Sequence, residues 1–312
     1  MVNTTPTKYP RLRRYEDLKP KTRANIAGYL FIGIWIIGFF FMTLYPFIMS
    51  IYYSMTDYHT LKATHKFIGI ENFIEMFTKD RKFWSSFWVT CKYAVVSVPL
   101  SLGVSLFVAV ILSKATKLTN FYRVIFYIPS LVGGGVAMSL VWKRLFATDG
   151  VINHLLGLIG LEGTNWLTNP DTALWVLLFM SLWGFGSRML IFLAAIKNVP
   201  KELYEAATLD GATSRQQFWK ITLPLITGSL FFNLINGIIG ALQAFNSAFL
   251  ITGGGPLGAT MFFGLHQYNT GFVRHEMGYA TALAWFLMVF ICTLTAFTFK
   301  SSSAWVYYQN ET

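Results

Sequence analysis

The sequence is poor in charge: 12% of its 312 residues are Asp, Glu, Lys or Arg, against about a quarter in an ordinary soluble domain. That deficit excludes an ordinary soluble domain for the chain as a whole. Cysteine is scarcer still. Only Cys91 and Cys292 are present, both inside apolar blocks, so there is no disulfide framework, no C-x-x-C pair and no Cys/His spacing for zinc. His154, His266 and His275 also lack ligand spacing and read as loop residues. The phosphate loop G-x-x-x-x-G-K-[ST], the nucleophile elbow G-x-S-x-G and the zinc motif H-E-x-x-H are all missing. The chain is therefore read as a non-enzyme that binds no cofactor or metal of its own.

What the sequence has in quantity is apolar surface: 54% hydrophobic residues, with 29 Phe, 15 Tyr and 10 Trp, and a mean hydropathy of +0.49. It is gathered into six runs, Ile26–Ile51, Trp88–Leu112, Val124–Trp142, Ala173–Ile196, Leu225–Leu250 and Tyr279–Phe299. Each is long enough to cross hydrocarbon of about 30 Å. The expected fold class is an all-α polytopic membrane protein with six transmembrane helices. Residues 1–25 form a basic segment, 26–300 one membrane domain and 301–312 a tail. The first run is too long for the apolar core of a signal peptide, and bulky Tyr45-Pro46-Phe47 stands where a cleavage site needs small residues.

Positive charge sets the orientation, because cytoplasmic flanks retain Lys and Arg. With the N-terminus inside, fifteen of the 25 basic residues are cytoplasmic and eight external, while Lys92 and Arg188 fall within spans. Both termini are expected in the cytoplasm. The formal net charge of +11 is thus topological, and no nucleic-acid partner is expected.

The loop between the fourth and fifth spans, residues 198–224, is cytoplasmic in this orientation. Asn198-Val199-Pro200 ends one helix, and Pro200 suits the first turn of the next. Leu203, Ala206, Ala207 and Asp210 follow at helical spacing. Gly211 offers a left-handed break, and a second short amphipathic turn presents Phe218, Trp219 and Ile221. Two short helices joined by a glycine make a rigid knob suited to a partner's socket.

The positions Glu205, Ala206, Ala207, Gly211, Ile221, Leu223 and Pro224 resemble the EAA loop of binding-protein-dependent ABC importer permeases. Leu242-Gln-Ala-Phe-Asn246, Leu250-Ile-Thr-Gly-Gly-Gly-Pro256, Met277-Gly-Tyr-Ala-Thr-Ala282 and Phe67-Ile-Gly-Ile-Glu-Asn-Phe73 are similar to carbohydrate permeases of the MalF type. The similarity covers most of residues 24–300. The chain lacks the extra helices and large periplasmic insertion of maltose-type members and looks more like the shorter six-helix form. The resemblance implies a type I ABC importer permease fold in the plasma membrane of a bacterium or archaeon. Implied partners are a second homologous permease, two ATP-binding cassette subunits that hold ATP and magnesium, an extracytoplasmic solute-binding protein, and an oligosaccharide substrate. A different class of function, an ion-coupled secondary transporter, predicts intramembrane acids for the coupling ion; none of the 14 Asp and Glu falls in a predicted span.

Polar residues inside spans are costly and mark pathways. Asn233, Asn236, Gly240, Gln243 and Ser247 fall within about 80° of one another on an ideal helix, and Asn246 lies nearby. Amides donate and accept, which suits sugar hydroxyls; the other reading is interhelical glue with a small-residue contact at Gly237 and Gly240. Arg188 is the sharper anomaly, about 12 Å of helix rise from the cytoplasmic end of its span. It reads either as a bidentate anchor for the carboxylate of a uronate-bearing sugar or as a gate or interface contact. Lys92 is read as snorkelling outward. Trp183, Phe185, Phe245 and Tyr268 are candidates for stacking on sugars, and Trp142, Trp166, Trp175 and Trp305 are assigned to interfacial belts.

Overall fold

A computed structural model describes residues 20–62, 64–114, 119–132 and 135–307. The basic residues Lys8, Arg11, Arg13, Arg14, Lys19 and Lys117 of the orientation count, and tail residues 308–312, lie outside the described residues. Among those described the structure is helical, with a single isolated β-bridge between Thr56 and Phe67.

The chain separates into a unit ending at Tyr53 and a second beginning at Ser54. The first carries α1 (Pro20–Phe39), a π turn (Phe40–Leu44) and α2 (Tyr45–Ser54), whose last residue falls in the second unit. Along Gly28–Ser54 none of the most apolar window is buried by the protein, and Phe31, Phe41 and Met42 are largely exposed. A helix apolar on every side suits a hydrocarbon solvent.

The second unit contains α3 (Glu71–Thr78), α4 (Arg81–Ser113), α5 (Thr119–Val132), α6 (Val136–Leu145), α7 (Val151–Leu158), α8 (Pro170–Leu182) and α9 (Gly186–Lys197). It continues with α10 (Lys201–Leu209), α11 (Ser214–Gln217), α12 (Leu223–Leu225), α13 (Thr227–Leu242), α14 (Phe263–Tyr268) and α15 (Met277–Ser302). Among the described residues, only α4, α15 and Gly28–Ser54 are long and apolar enough to cross a membrane unbroken. The other candidates are bent pairs: α5 with α6 at 100°, α8 with α9 at 46°, and Ser214–Leu225 with α13 at 66°. Counting each pair as one crossing gives up to six.

The bend between α8 and α9 falls at Gly184-Phe185-Gly186, where the glycines before Ser187-Arg188 already suggest an interrupted helix. The fifth run, expected as one helix over Leu225–Leu250, begins at Thr227 after the bend at Ile226 and stops at Leu242. There the Ala244 N–H bonds to the Ala241 carbonyl, tightening the last turn and ending the helix although the apolar sequence runs on. The ideal-helix projection therefore does not extend to Asn246 and Ser247. In the fourth run, Gly186 lies where α9 meets α5; a Cβ there would stand 2.6 Å from the Phe126 carbonyl oxygen and 3.0 Å from the Tyr127 Cα.

Helix α4 is the central post, packing against α8, α9, α13 and α14. Asp80 caps its start, the carboxylate accepting from the Lys82 and Phe83 N–H groups at 2.8 and 3.2 Å. Its buried residues recur every three or four positions, with Ser86, Ser97, Ser101 and Ser105 among them. Small side chains on this seam let neighbouring backbones approach, which is what holds helices together where lipid removes the hydrophobic drive. One core joins the aromatic start of α4 (Phe83, Phe87) to Phe263 and Leu283. Another joins Ala109 and Leu112 at its end to Met189, Phe192 and Ile226.

Candidate functional site

Three arrangements stand out. The first is the hairpin of α10 and α11. Asp210 closes α10, Gly211 turns left-handed at φ +77°, and the Ala212 N–H returns to the Ala207 carbonyl at 2.8 Å. This is the glycine break expected from the sequence. Thr213 and Gln216 then form a reciprocal capping box for α11. Across the hairpin, the Tyr204 and Thr222 hydroxyls share a hydrogen bond of 2.9 Å, and the Gln217 amide donates to the Thr208 hydroxyl at 3.0 Å. Ile221 and Tyr204 pack on the core at the end of α4. Glu205, Ala206, Asp210, Gly211 and Pro224 face outward, while Ala207 and Leu223 are half-buried. Leu209 is 90% exposed and Trp219 58% exposed, apolar surface of the kind that marks a contact site.

The second arrangement is a polar hollow among α4, α6, α8, α9 and α13. A cavity of about 310 Å³ is lined by Gln243, Asn246, Ser247, Tyr93, Ser181 and Trp142 among others. A second, of about 200 Å³, shares Tyr93, Ser181 and Gly240 with it and adds Arg188, Ser97 and Ser101. The hollow thus gathers four of the six residues singled out as a pathway. Asn233 and Asn236 are not among its linings: Asn233 is buried with its amide on the Ser229 carbonyl, and Asn236 is exposed with its amide on the Phe232 carbonyl. Gly237 makes the close contact, to Val98, whereas Gly240 has open space before it. The Arg188 guanidinium donates to the Ser101 hydroxyl, and no acidic side chain pairs with it among the described residues.

Trp142 corrects its assignment to an interfacial belt. It is 6% exposed, lines the larger cavity and meets the Trp183 ring edge-on at 5.5 Å. Phe245 also lines that cavity, with Tyr268 5.4 Å from its ring, while Phe185 faces Phe126. Lys92 is exposed, as expected of a snorkelling residue.

The third was missed. His266, read as a loop residue, is buried on α14 and bonds through Nε2 to the Asp80 carboxylate at 2.8 Å. The Tyr279 hydroxyl donates to the same oxygen at 2.8 Å. Burial presses the Asp80 pKa upward, but the bond from Tyr279, the charge and bond of His266 and the Lys82 N–H outweigh it and hold the group below its ordinary value. Burial lowers the His266 pKa against the opposing pull of Asp80, with Arg274 and Lys82 adding to the lowering. His266 Nε2 thus meets a carboxylate that is already the cap of α4.

Comparison with known proteins follows the same lines. Residues 101–306 match the family described as binding-protein-dependent transport system inner membrane component. The chain is 46% identical over 302 residues to the probable ABC transporter permease protein YesP of Bacillus subtilis (strain 168), covering 95% of this chain and 97% of that protein. It is 32% identical to the probable starch degradation products transport system permease protein AmyD of Thermoanaerobacterium thermosulfurigenes, over 86% of this chain and 92% of that protein. A solved bacterial alginate ABC transporter, in complex with an alginate pentasaccharide-bound periplasmic protein, has a chain of the same fold. Its TM-score is 0.80 at 22% identity, covering 90% of this chain and 96% of that one.

Proposed function

The chain belongs to the binding-protein-dependent transport system inner membrane components, and on that premise we propose that it forms half of the membrane pathway of an ATP-driven oligosaccharide importer. At the coarser level it is a multi-pass sugar permease subunit of an ABC importer that works with a solute-binding protein, and not an enzyme. The other half of the pathway is a second, homologous permease. Two cassette subunits bind ATP and magnesium on the cytoplasmic side, where both termini of this chain also lie. The membrane is the plasma membrane of a bacterium or archaeon.

The α10–α11 hairpin is the coupling element. Glu205, Ala206, Ala207 and Asp210 form the docking face, and small alanines let a partner surface approach closely. Gly211 sets the turn, and Ile221, Leu223 and Pro224 carry movement into α13 through the bend at Ile226. Closure of the cassettes draws the hairpins together and shifts a pathway between inward-open and outward-open states. The permease need only present states a few kcal/mol apart, which nucleotide binding then biases.

The sugar passes through the hollow beside α13. Gln243 and Asn246 offer donors and acceptors to hydroxyls, Ser247 adds a third polar group, and Trp142 supplies an aromatic wall. Arg188 extends the substrate range to acidic, uronate-containing oligosaccharides. Asn233 and Asn236, which lie off the hollow, serve α13 through their bonds to its own carbonyls.

The observation that carries this reading is the clamped, outward-facing hairpin, a rigid knob with exposed Leu209 and Glu205. The test is uptake into proteoliposomes holding the complete transporter. Sugar entry should require internal or external ATP on the cassette side and a loaded binding protein, and should persist when proton and sodium gradients are collapsed. Uptake driven by an ion gradient without ATP would select the secondary-transport alternative.

A further inference from the structure

The hollow is not uniform. Along α4 it passes from Tyr93, shared by both cavities, to Ser97 and Ser101; along α13 it passes from Gln243 back through Gly240 to Gly237. From Ser181 at the end of α8 it reaches Arg188 on α9. All three directions lead from the amide-lined part toward the end of the bundle that carries the coupling hairpin. On that side of the amides stands Arg188, which has no ion-pair partner among the described residues.

Two observations there are independent of each other. Arg188 spends one guanidinium N–H on the neutral Ser101 hydroxyl and has no acidic partner among the described residues. An arginine in that position within a membrane is costly unless an anion answers it. Separately, Ser97 is 5% exposed, and its hydroxyl has no hydrogen-bond partner although it lines the same cavity. Buried hydroxyls are nearly always satisfied, and several serines on these helices bond back to their own carbonyls, as Ser105 does to Ser101 and Ser181 to Leu178. A hydroxyl without a partner and a guanidinium with no acidic partner among the described residues, lining one cavity, make the donor set of an anion site. The cavity, about 200 Å³, is small and shares Tyr93, Ser181 and Gly240 with the larger, amide-lined one.

We propose that Arg188 and Ser97 form a carboxylate subsite, which takes the acid group of a uronic-acid residue while the Gln243 and Asn246 amides hold hydroxyls of the neighbouring sugar. The inference rests on the permease reading and deepens it. The guanidinium edge left free by Ser101 presents parallel N–H donors that match two carboxylate oxygens, and the Ser97 O–H completes the set. The substrate then lies with its charge toward the coupling-hairpin end. Neutral sugars occupy the amide-lined part and leave the subsite to water.

The test uses the complete transporter with its own binding protein in proteoliposomes. The probes are trisaccharides of glucuronate, galacturonate and mannuronate, and the same compounds with their carboxylates reduced to alcohols. Expected for Arg188→Gln is a loss of about tenfold or more in uptake kcat/KM for the transported triuronide, the scale of one lost bond to a charged group, with the reduced analogue within about twofold. Arg188→Lys should restore part of the loss. Ser97→Ala removes a hydroxyl that no protein group uses, so a structural role predicts no loss of melting temperature and unchanged uptake. The subsite instead predicts a KM raised about threefold for the triuronide alone. Equal loss of acidic and neutral uptake in Arg188→Gln assigns it to a gate and overturns the proposal. So does undiminished triuronide uptake in that variant, or a native transporter that moves reduced sugars but no triuronide; both leave the importer reading intact. ATP-dependent uptake of no sugar at all would instead end the permease reading itself.

Discussion

Asp80 and His266, 186 positions apart in the chain, share a hydrogen bond of 2.8 Å that ties the start of α4 to α14, and the Tyr279 hydroxyl adds α15 at the same oxygen. Asp80 also caps α4 through the Lys82 and Phe83 N–H groups. One carboxylate therefore holds three helices. Replacing Asp80 with Ala removes a cap worth about 1 kcal/mol and strands two buried donors at about 1–3 kcal/mol each. A loss of roughly 3 kcal/mol or more is expected, read as a lowered melting temperature of the solubilised protein. Asp80→Asn should recover part of the cap alone.

The same knot sets a pH dependence. Both His266 and Asp80 have folded pKa values below their ordinary ones, so each contributes stability that is present above its unfolded pKa and lost as pH falls. The His266 part should begin to disappear below pH 6.5 and the Asp80 part below pH 3.8. Melting temperature followed from pH 7.5 to 5 should fall in the native protein and less in His266→Gln. A native protein equally stable at pH 5 and 7.5 would contradict this.

Tyr204→Phe removes the hydroxyl bond to Thr222 while leaving the ring on the core. A net cost of about 1 kcal/mol corresponds to about fivefold faster hydrogen exchange across residues 204–222. Exchange unchanged there would mean that the two arms are held by packing alone.

Gly186→Ala places a methyl against the α5 backbone. Overpacking of this kind costs about 1–3 kcal/mol, and the shift of α9 would also move Arg188. Lower yield and a reduced melting temperature are expected, whereas Gly240→Ala, with open space before it, should fold normally and narrow the hollow.

Much of this organisation was legible in the sequence because it is local. The apolar runs mark the membrane helices, and the hairpin follows from Pro200, Gly211 and the spacing of Leu203, Ala206 and Ala207. The end of α13 at Leu242 was hidden because the apolar run continues to Leu250 without a proline. Trp142 was misassigned because composition alone does not distinguish a tryptophan turned into the bundle from one at the lipid surface. The bond between His266 and Asp80 left no local trace, since nothing in either neighbourhood names the other. Asn233 and Gln243 share an ideal helical face, yet the helix ends at Leu242 and only Gln243 reaches the hollow.

The most direct measurement is ATP hydrolysis by the complete transporter carrying Glu205→Lys, with and without its sugar-loaded binding protein. Glu205 is exposed on α10 and makes no ion pair among the described residues, so the variant should insert and melt like the native protein. Coupling through the hairpin requires that hydrolysis stimulated by the binding protein fall about tenfold or more, on the scale of a lost charged contact at an interface, together with weaker retention of the cassette subunits. Full assembly with undiminished stimulated hydrolysis would contradict the coupling role of this loop.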